Sequence, residues 1–142
     1  MASINTGKVI AGGLLAGLVF NVLDVLNTFL VVGDDFRSNA TRLGLDPAAA
    51  ESSAGIATWV VIDFLLGILV VWTYAAMRPR FGAGPRTAIY AGLVPYAAIT
   101  LILFGLTQGG LFPMALFVKM ALISLVITCA GAVAGAWAYK ES

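Results

Sequence analysis

Four long apolar runs dominate this chain, at about 9–32, 54–77, 88–106 and 111–139. A helix needs roughly 20 mostly apolar residues to cross the hydrocarbon of a bilayer. Strands of a membrane barrel would instead show short segments of alternating polarity. The expected fold is therefore all-α: a single domain over residues 1–142, with four transmembrane helices in a bundle. Composition agrees. Eight Lys or Arg and seven Asp or Glu among 142 residues are too few to coat a soluble domain. A net charge of +1 provides no basic field for nucleic acid. The chain has no His, which removes the commonest metal ligand and the usual general base. One Cys, Cys129, makes no internal disulfide. The first run is too long for a signal peptide, contains Asp24 and is followed by no small-residue cleavage motif, so a retained helix is expected.

Charge asymmetry sets the expected orientation. Lys8, Arg78, Arg80, Arg86 and Lys140 fall on one side of a four-span topology, with Glu141 the only acid there. The link between spans one and two carries Arg37 and Arg42 against Asp34, Asp35, Asp46 and Glu51. Both termini are expected in the cytoplasm. Trp72, Tyr74, Trp137 and Tyr139 are expected to form an interfacial belt on that side.

Residues 33–53 form the one long link. Phe36, Ala40 and Leu43 recur at helical spacing and Gly44 follows as a C-cap, which predicts a short helix lying on the outer surface. Asp46-Pro47 reads as an N-cap and first helical position, so the second helix is expected to start at Pro47 and run into its span. Asn39-Ala40-Thr41 matches a glycosylation sequon, read here as chance.

Three ionisable residues lie inside the spans: Asp24, Asp63 and Lys119. Each costs a few kcal/mol at mid-bilayer, so each needs a partner, a cavity or a route to water. Counting from the span midpoints places all three in the outer leaflet. On the first helix, Gly13, Gly17, Asn21, Asp24, Asn27 and Thr28 fall along one line at 3.6 residues per turn. Gly13 and Gly17 form a GxxxG, which lets another helix approach closely. On the second, Ser52, Trp59, Asp63, Gly67 and Tyr74 share a stripe. Pairing the two stripes brings Asp24 and Asp63 together. Close carboxylates in low dielectric do not both ionise cheaply, which is the physical basis of proton or cation coupling. The plainer alternative is that each acid hydrogen-bonds Asn21, Asn27 or Thr28 and locks the helices. Lys119 has three options: neutralising the pair, bridging to one Asp, or snorkelling outward.

On the fourth helix, Ser124, Thr128, Gly131 and Gly135 form a small, polar stripe, while Lys119 points to nearly the opposite face. One face is expected to pack inside the bundle. The other is expected to meet a second copy or a larger membrane complex, besides the lipid bilayer. The alternative is a central helix packed on both faces. Pro95, mid-span in the third helix, frees the Ala91 carbonyl and is a candidate hinge. Tyr90 and Tyr96 flank it and are expected to reach the polar cluster.

The run Ala11-Gly12-Gly13-Leu14-Leu15-Ala16-Gly17-Leu18-Val19-Phe20-Asn21, together with residues 74–87 (YAAMRPRFGAGPRT), resembles a group of uncharacterised small four-span bacterial inner-membrane proteins. The resemblance implies a multi-pass protein of the bacterial cytoplasmic membrane and carries no known activity. Fluoride channels and small multidrug exporters are of similar size. Their patterns are absent, including the exporters' first-span Glu, although Asp24 is a candidate for an analogous part.

Two functions follow as expectations. The first is an accessory or scaffold subunit, or a homo-oligomer, working through Gly-rich packing. The second is a small proton- or cation-coupled transporter or channel using Asp24 and Asp63. No enzyme activity, cofactor or metal is expected: paired nucleophiles, ligand clusters and a phosphate-binding fingerprint are all missing.

Overall fold

The computed structural model describes residues 4–139. Lys140 and Glu141, used above for orientation, lie outside the described residues. The fold is an all-α bundle with four helices long and apolar enough to span a membrane. Helix α1 (Thr6–Asn27) passes through a π turn (Thr28–Val32) into α2 (Gly33–Arg42). The short α3 (Pro47–Glu51) then leads to α4 (Ser53–Phe81), α5 (Pro85–Gln108) and α6 (Met114–Ala138). In cross-section the spans run α1, α4, α5, α6 around a ring, each packed on its sequence or ring neighbour. The α4–α5 turn lies at the same end as both described termini, here called the basic end. The opposite end carries α2.

The outer link differs from expectation. Residues 33–42 are not a separate surface helix; they continue α1, making a helical segment of 37 residues. At 1.5 Å per residue this is about 55 Å, well beyond the roughly 30 Å of hydrocarbon, so its end projects past the membrane. The π turn depends on Gly33. A Cβ there would sit 2.5 Å from the Thr28 carbonyl oxygen, which the widened turn directs at that position. The C-cap forms as expected: Gly44 has φ of 72°, and the Leu45 N–H bonds the Ala40 carbonyl at 2.9 Å. Asp46 also caps as expected, accepting from the Ala48 N–H at 3.0 Å. However, α3 stops at Glu51, and Ser52 (ψ 157°) starts α4 afresh by accepting from the Gly55 N–H at 3.1 Å. Gly55 permits the break, because the Ala49 and Ala50 carbonyls occupy the space that a Cβ there would fill. Asn39 is buried, donates to the Leu111 carbonyl at 3.2 Å and accepts from Arg42. The sequon is therefore a structural asparagine. At the other boundaries, α5 begins at Pro85, ahead of residue 88, and α6 at Met114, after a turn at 111–113.

Glycine sets the packing. A Cβ on Gly13 would lie 2.5 Å from the Ile68 Cα, and one on Gly17 2.7 Å from the Phe64 Cα. A Cβ on Gly67 would run into the Gly13 carbonyl and the Gly17 backbone. On the other flank of α1, Gly131 lies under the Phe20 ring, and Gly135 meets Ala16, Val71 and the Gly12 carbonyl. Gly92 of α5 meets Thr128 and Ala132 of α6. Such contacts trade side-chain bulk for close dispersion contact, the main attraction between helices where lipid removes the hydrophobic drive.

The basic end is the tight end. Its core joins Val9, Ala16, Val71, Tyr74, Ala75, Ala88, Ala91, Ala136 and Tyr139. Trp72 and Trp137 are exposed there, as an interfacial belt requires, but Tyr74 and Tyr139 are buried and do not belong to it. Their rings meet edge to face at 6.0 Å, Arg78 lies 5.8 Å over Tyr139, and the Tyr74 hydroxyl accepts from the Gly84 N–H at 3.1 Å. A buried phenol finds a polar partner in the turn, which holds it away from the interface.

Gly67→Ala should destabilise the protein by about 1–3 kcal/mol through overpacking against backbone. Gly105, with nothing within 4 Å of a Cβ, is the control: Gly105→Ala should be neutral or stabilising by up to about 1 kcal/mol. Thermal unfolding in detergent reads both.

Candidate functional site: an intramembrane acid pair

The α1–α4 contact sets the register of the polar residues. Gly13 faces Ile68 and Gly17 faces Phe64, and the Asn21 side-chain amide donates to the Val60 carbonyl at 3.4 Å. The helices are antiparallel, so each four-residue step forward on one is a four-residue step back on the other. Asp63 is thereby level with Leu18, and Asp24 with Ala57. The acids are staggered by six residues, about 9 Å along the axis, and are not side by side. Cα–Cβ bonds tilt toward each helix's N-terminus, so the Asp24 side chain leans inward and that of Asp63 outward, and the two converge. They lie within Coulombic range of one another.

Their surroundings are poor in donors. Asp63 is 7% exposed and Asp24 partly buried. Among the described residues neither carboxylate has a hydrogen-bond donor or a cationic partner. Asn21 does not serve them: its amide also donates to the Gly17 carbonyl at 2.9 Å, pinning the α1–α4 seam. Asn27 has a buried side-chain oxygen with no partner among the described residues. Thr28 is exposed and stands apart from the pair.

Lys119 does not belong to the cluster. Its ammonium bonds Asp35 of α2 at 2.7 Å. Snorkelling explains this: α2 extends α1 past the membrane and offers a carboxylate where the lysine emerges. Asp35 is the partner that a reading of the spans alone missed; the clue was the helical spacing that continues through 36, 40 and 43. A second set of bonds fastens the same end. Arg42 donates to the Gly110 and Leu111 carbonyls, both at 2.9 Å, and Arg37 joins Asp34 and Glu51.

The remaining expected site residues fall elsewhere. Gly131 and Gly135 pack on α1, while Thr128 packs on α5. The Ser124 hydroxyl turns back to the Ala121 carbonyl at 3.4 Å. Trp59 is 63% exposed, because α4 meets α1 through positions 60, 64 and 68. Pro95 is buried within an unbroken α5 beside Gly92. Tyr96 donates to the Ala121 carbonyl at 2.9 Å and Tyr90 accepts from Arg86 at 2.8 Å, so neither tyrosine reaches the acids. Among the described residues, no group of three or more His, Cys, Asp or Glu comes together to hold a metal.

The chain is a multi-pass membrane protein by these spans. Comparison with protein-family models, with curated proteins and with solved structures gave no match.

Lys119→Gln should lower stability by no more than about 1 kcal/mol, since its ion pair is half-exposed. It should leave any proton or cation uptake unchanged. Melting in detergent and uptake by the purified protein test the two halves.

Proposed function

We propose that this chain is a small proton- or monovalent-cation-coupled carrier of the bacterial inner membrane, with its basic end in the cytoplasm and Asp63 and Asp24 as the ion-binding groups. The observation that carries this reading is Asp63: a carboxyl 7% exposed, inside a span, with a second acid in range and no donor or cation among the described residues. An acid so placed is costly to keep, and residues of this kind in membrane spans mark ion routes. The pair suits one singly charged ion held between two carboxylates. Two acids alone give too few oxygens for Mg²⁺ or Ca²⁺. Asn21 positions the pair by fixing the register.

The scaffold reading rested on glycine stripes free to bind partners, and those stripes are occupied by one another. A homo-oligomer or accessory role through α6 therefore draws on its opposite face, where Val118, Leu122 and Val126 are exposed.

Purified protein in liposomes should move protons, Na⁺ or K⁺ down an imposed gradient. Asp63→Asn should reduce that flux to background and Asp24→Asn should reduce it in part. Flux that survives both substitutions removes the carboxylates from the mechanism. Absence of flux together with co-purification of a fixed partner selects the accessory role.

A further inference from the structure

The end of the bundle that carries α2 also carries a cleft. It has a volume of about 170 Å³ and lies between α2 and the start of α6, with Asp35, Ser38 and Arg42 on one wall and Pro113, Ala115 and Leu116 on the other. The α2 residues are spaced by three, four and seven, so they share one face of that helix. Two ties hold the face in place. Lys119 of α6 bonds Asp35 at 2.7 Å, and Arg42 bonds the Gly110 and Leu111 carbonyls of the α5–α6 turn, both at 2.9 Å. Between the ties the facing side chains are short: Ser38 on α2, Pro113 and Ala115 on α6. The two helices therefore do not close on one another there. Asn39 and Leu116, both buried, line the inner side.

The polar wall offers both signs of charge. Arg42 directs Nε and Nη2 at the Asn39 Oδ1, at 3.1 and 2.8 Å, and Nη2 also at the two turn carbonyls. All of these acceptors are neutral. Among the described residues Arg42 has no carboxylate partner and its Nη1 has no bond, whereas Arg37 pairs with Asp34 and Glu51. A guanidinium fixed by three oxygens and left with its charge uncompensated is prepared for an anion. Asp35 supplies the opposite sign. Its Oδ2 accepts from Lys119, and its Oδ1 has no bond among the described residues.

Spacing and depth say what fits. Arg42 leans back along α2 to the level of Asn39, one turn from Asp35, so the free donor and the free acceptor stand about 5.4 Å apart along the axis. A phosphate and a primary ammonium joined by two carbons span a similar distance. The cleft also sits where the apolar span ends, because α6 begins at Met114 and Arg42 bonds the turn just before it. Lipid headgroups occupy that layer, and the wall of Pro113, Ala115 and Leu116 is apolar, as the first carbons of a lipid require. A quaternary ammonium has no N–H to give Asp35, and a headgroup without an amine leaves that carboxylate unanswered.

We propose that the cleft between α2 and the start of α6 holds one phosphatidylethanolamine headgroup, with its phosphate at Arg42 and the Ser38 hydroxyl and its ammonium at Asp35. The site is separate from the acid pair and does not depend on it. It gives the long extension of α1 a second attachment to the membrane surface, beyond its bonds to α6 and the α5–α6 turn.

Full-length protein in detergent, titrated with dioleoyl phosphatidylethanolamine, phosphatidylcholine or phosphatidylglycerol and read by native mass spectrometry, tests this. The first phosphatidylethanolamine should be held at least about fivefold more tightly than either of the others. Arg42→Gln should weaken it by about fivefold or more. Ser38→Trp crowds the cleft, alters neither tie and should weaken it to a similar extent, which covers the case in which Arg42→Gln loosens α2. Asp35→Asn should abolish the preference over phosphatidylcholine. Equal retention of the three lipids by the wild type is ordinary annular contact and overturns the proposal. Tighter retention of phosphatidylglycerol overturns it too, as does a phosphatidylethanolamine preference that survives both Arg42→Gln and Ser38→Trp. Displacement of the lipid by an equal concentration of soluble phosphoethanolamine removes the lipid as the occupant.

Discussion

Backbone contact through glycine is the interaction on which the rest of this structure depends. Within a bilayer, burying a leucine against another leucine gains little over burying it against an acyl chain. Helices gain by approaching more closely than lipid can, and that requires missing side chains. Gly13, Gly17 and Gly67 let α1 and α4 touch main chain to main chain, while Gly12 and Gly135 do the same between α1 and α6. Helix α1 therefore joins α4 to α6, with glycines on two flanks. The register of every polar residue on α1 and α4 follows from these contacts, because shifting either helix by one position would bring a Cβ into backbone.

The same contacts divide the molecule into halves. Glycine is concentrated toward the basic end on α1, α4 and α6, and so is the aromatic and alanine core. The α2 end is held by polar bonds: Lys119 to Asp35, Arg42 to the α5–α6 turn, Arg37 to Glu51. These bonds are at least partly exposed, so each contributes little on its own. Their value is positional. They tie the long extension of α1 to α6 and to the α5–α6 turn.

The four spans, the cap at Gly44 and the start of α3 at Asp46-Pro47 were legible in the sequence because each depends on local chemistry: length of an apolar run, a positive φ, a side-chain oxygen beside free N–H groups. The convergence of Asp24 and Asp63 was legible as far as helical faces allow. Their stagger was not, because periodicity gives a face and no register; register came from Gly13 opposite Ile68 and Gly17 opposite Phe64. The partner of Lys119 was hidden for a related reason. A residue whose charge leaves the membrane finds its partner beyond the span, so a search confined to spans returns only Asp24 and Asp63. The burial of Tyr74 likewise needed the α4–α5 turn in place, since the Gly84 N–H donates to its phenol oxygen in the interior.

The position of Asp63 links these strands. It is the outermost buried residue of α4, one turn from Gly67, where the glycine contact ends and the uncovered face begins. A carboxyl deeper in the basic half would lie among close-packed main chain, with no space for a counter-ion. One placed further out, beyond the start of the span, would be solvated at the interface and cost little. Only at the boundary is an acid both expensive and reachable. Asp24 approaches it from α1 with its side chain directed inward, so the second charge adds to the cost at that level. A pair arranged this way is poorly suited to locking helices, since neither carboxylate has a donor among the described residues to bond. A proton or a cation reaching the pair would lower that cost, which is the physical ground of the proposed coupling.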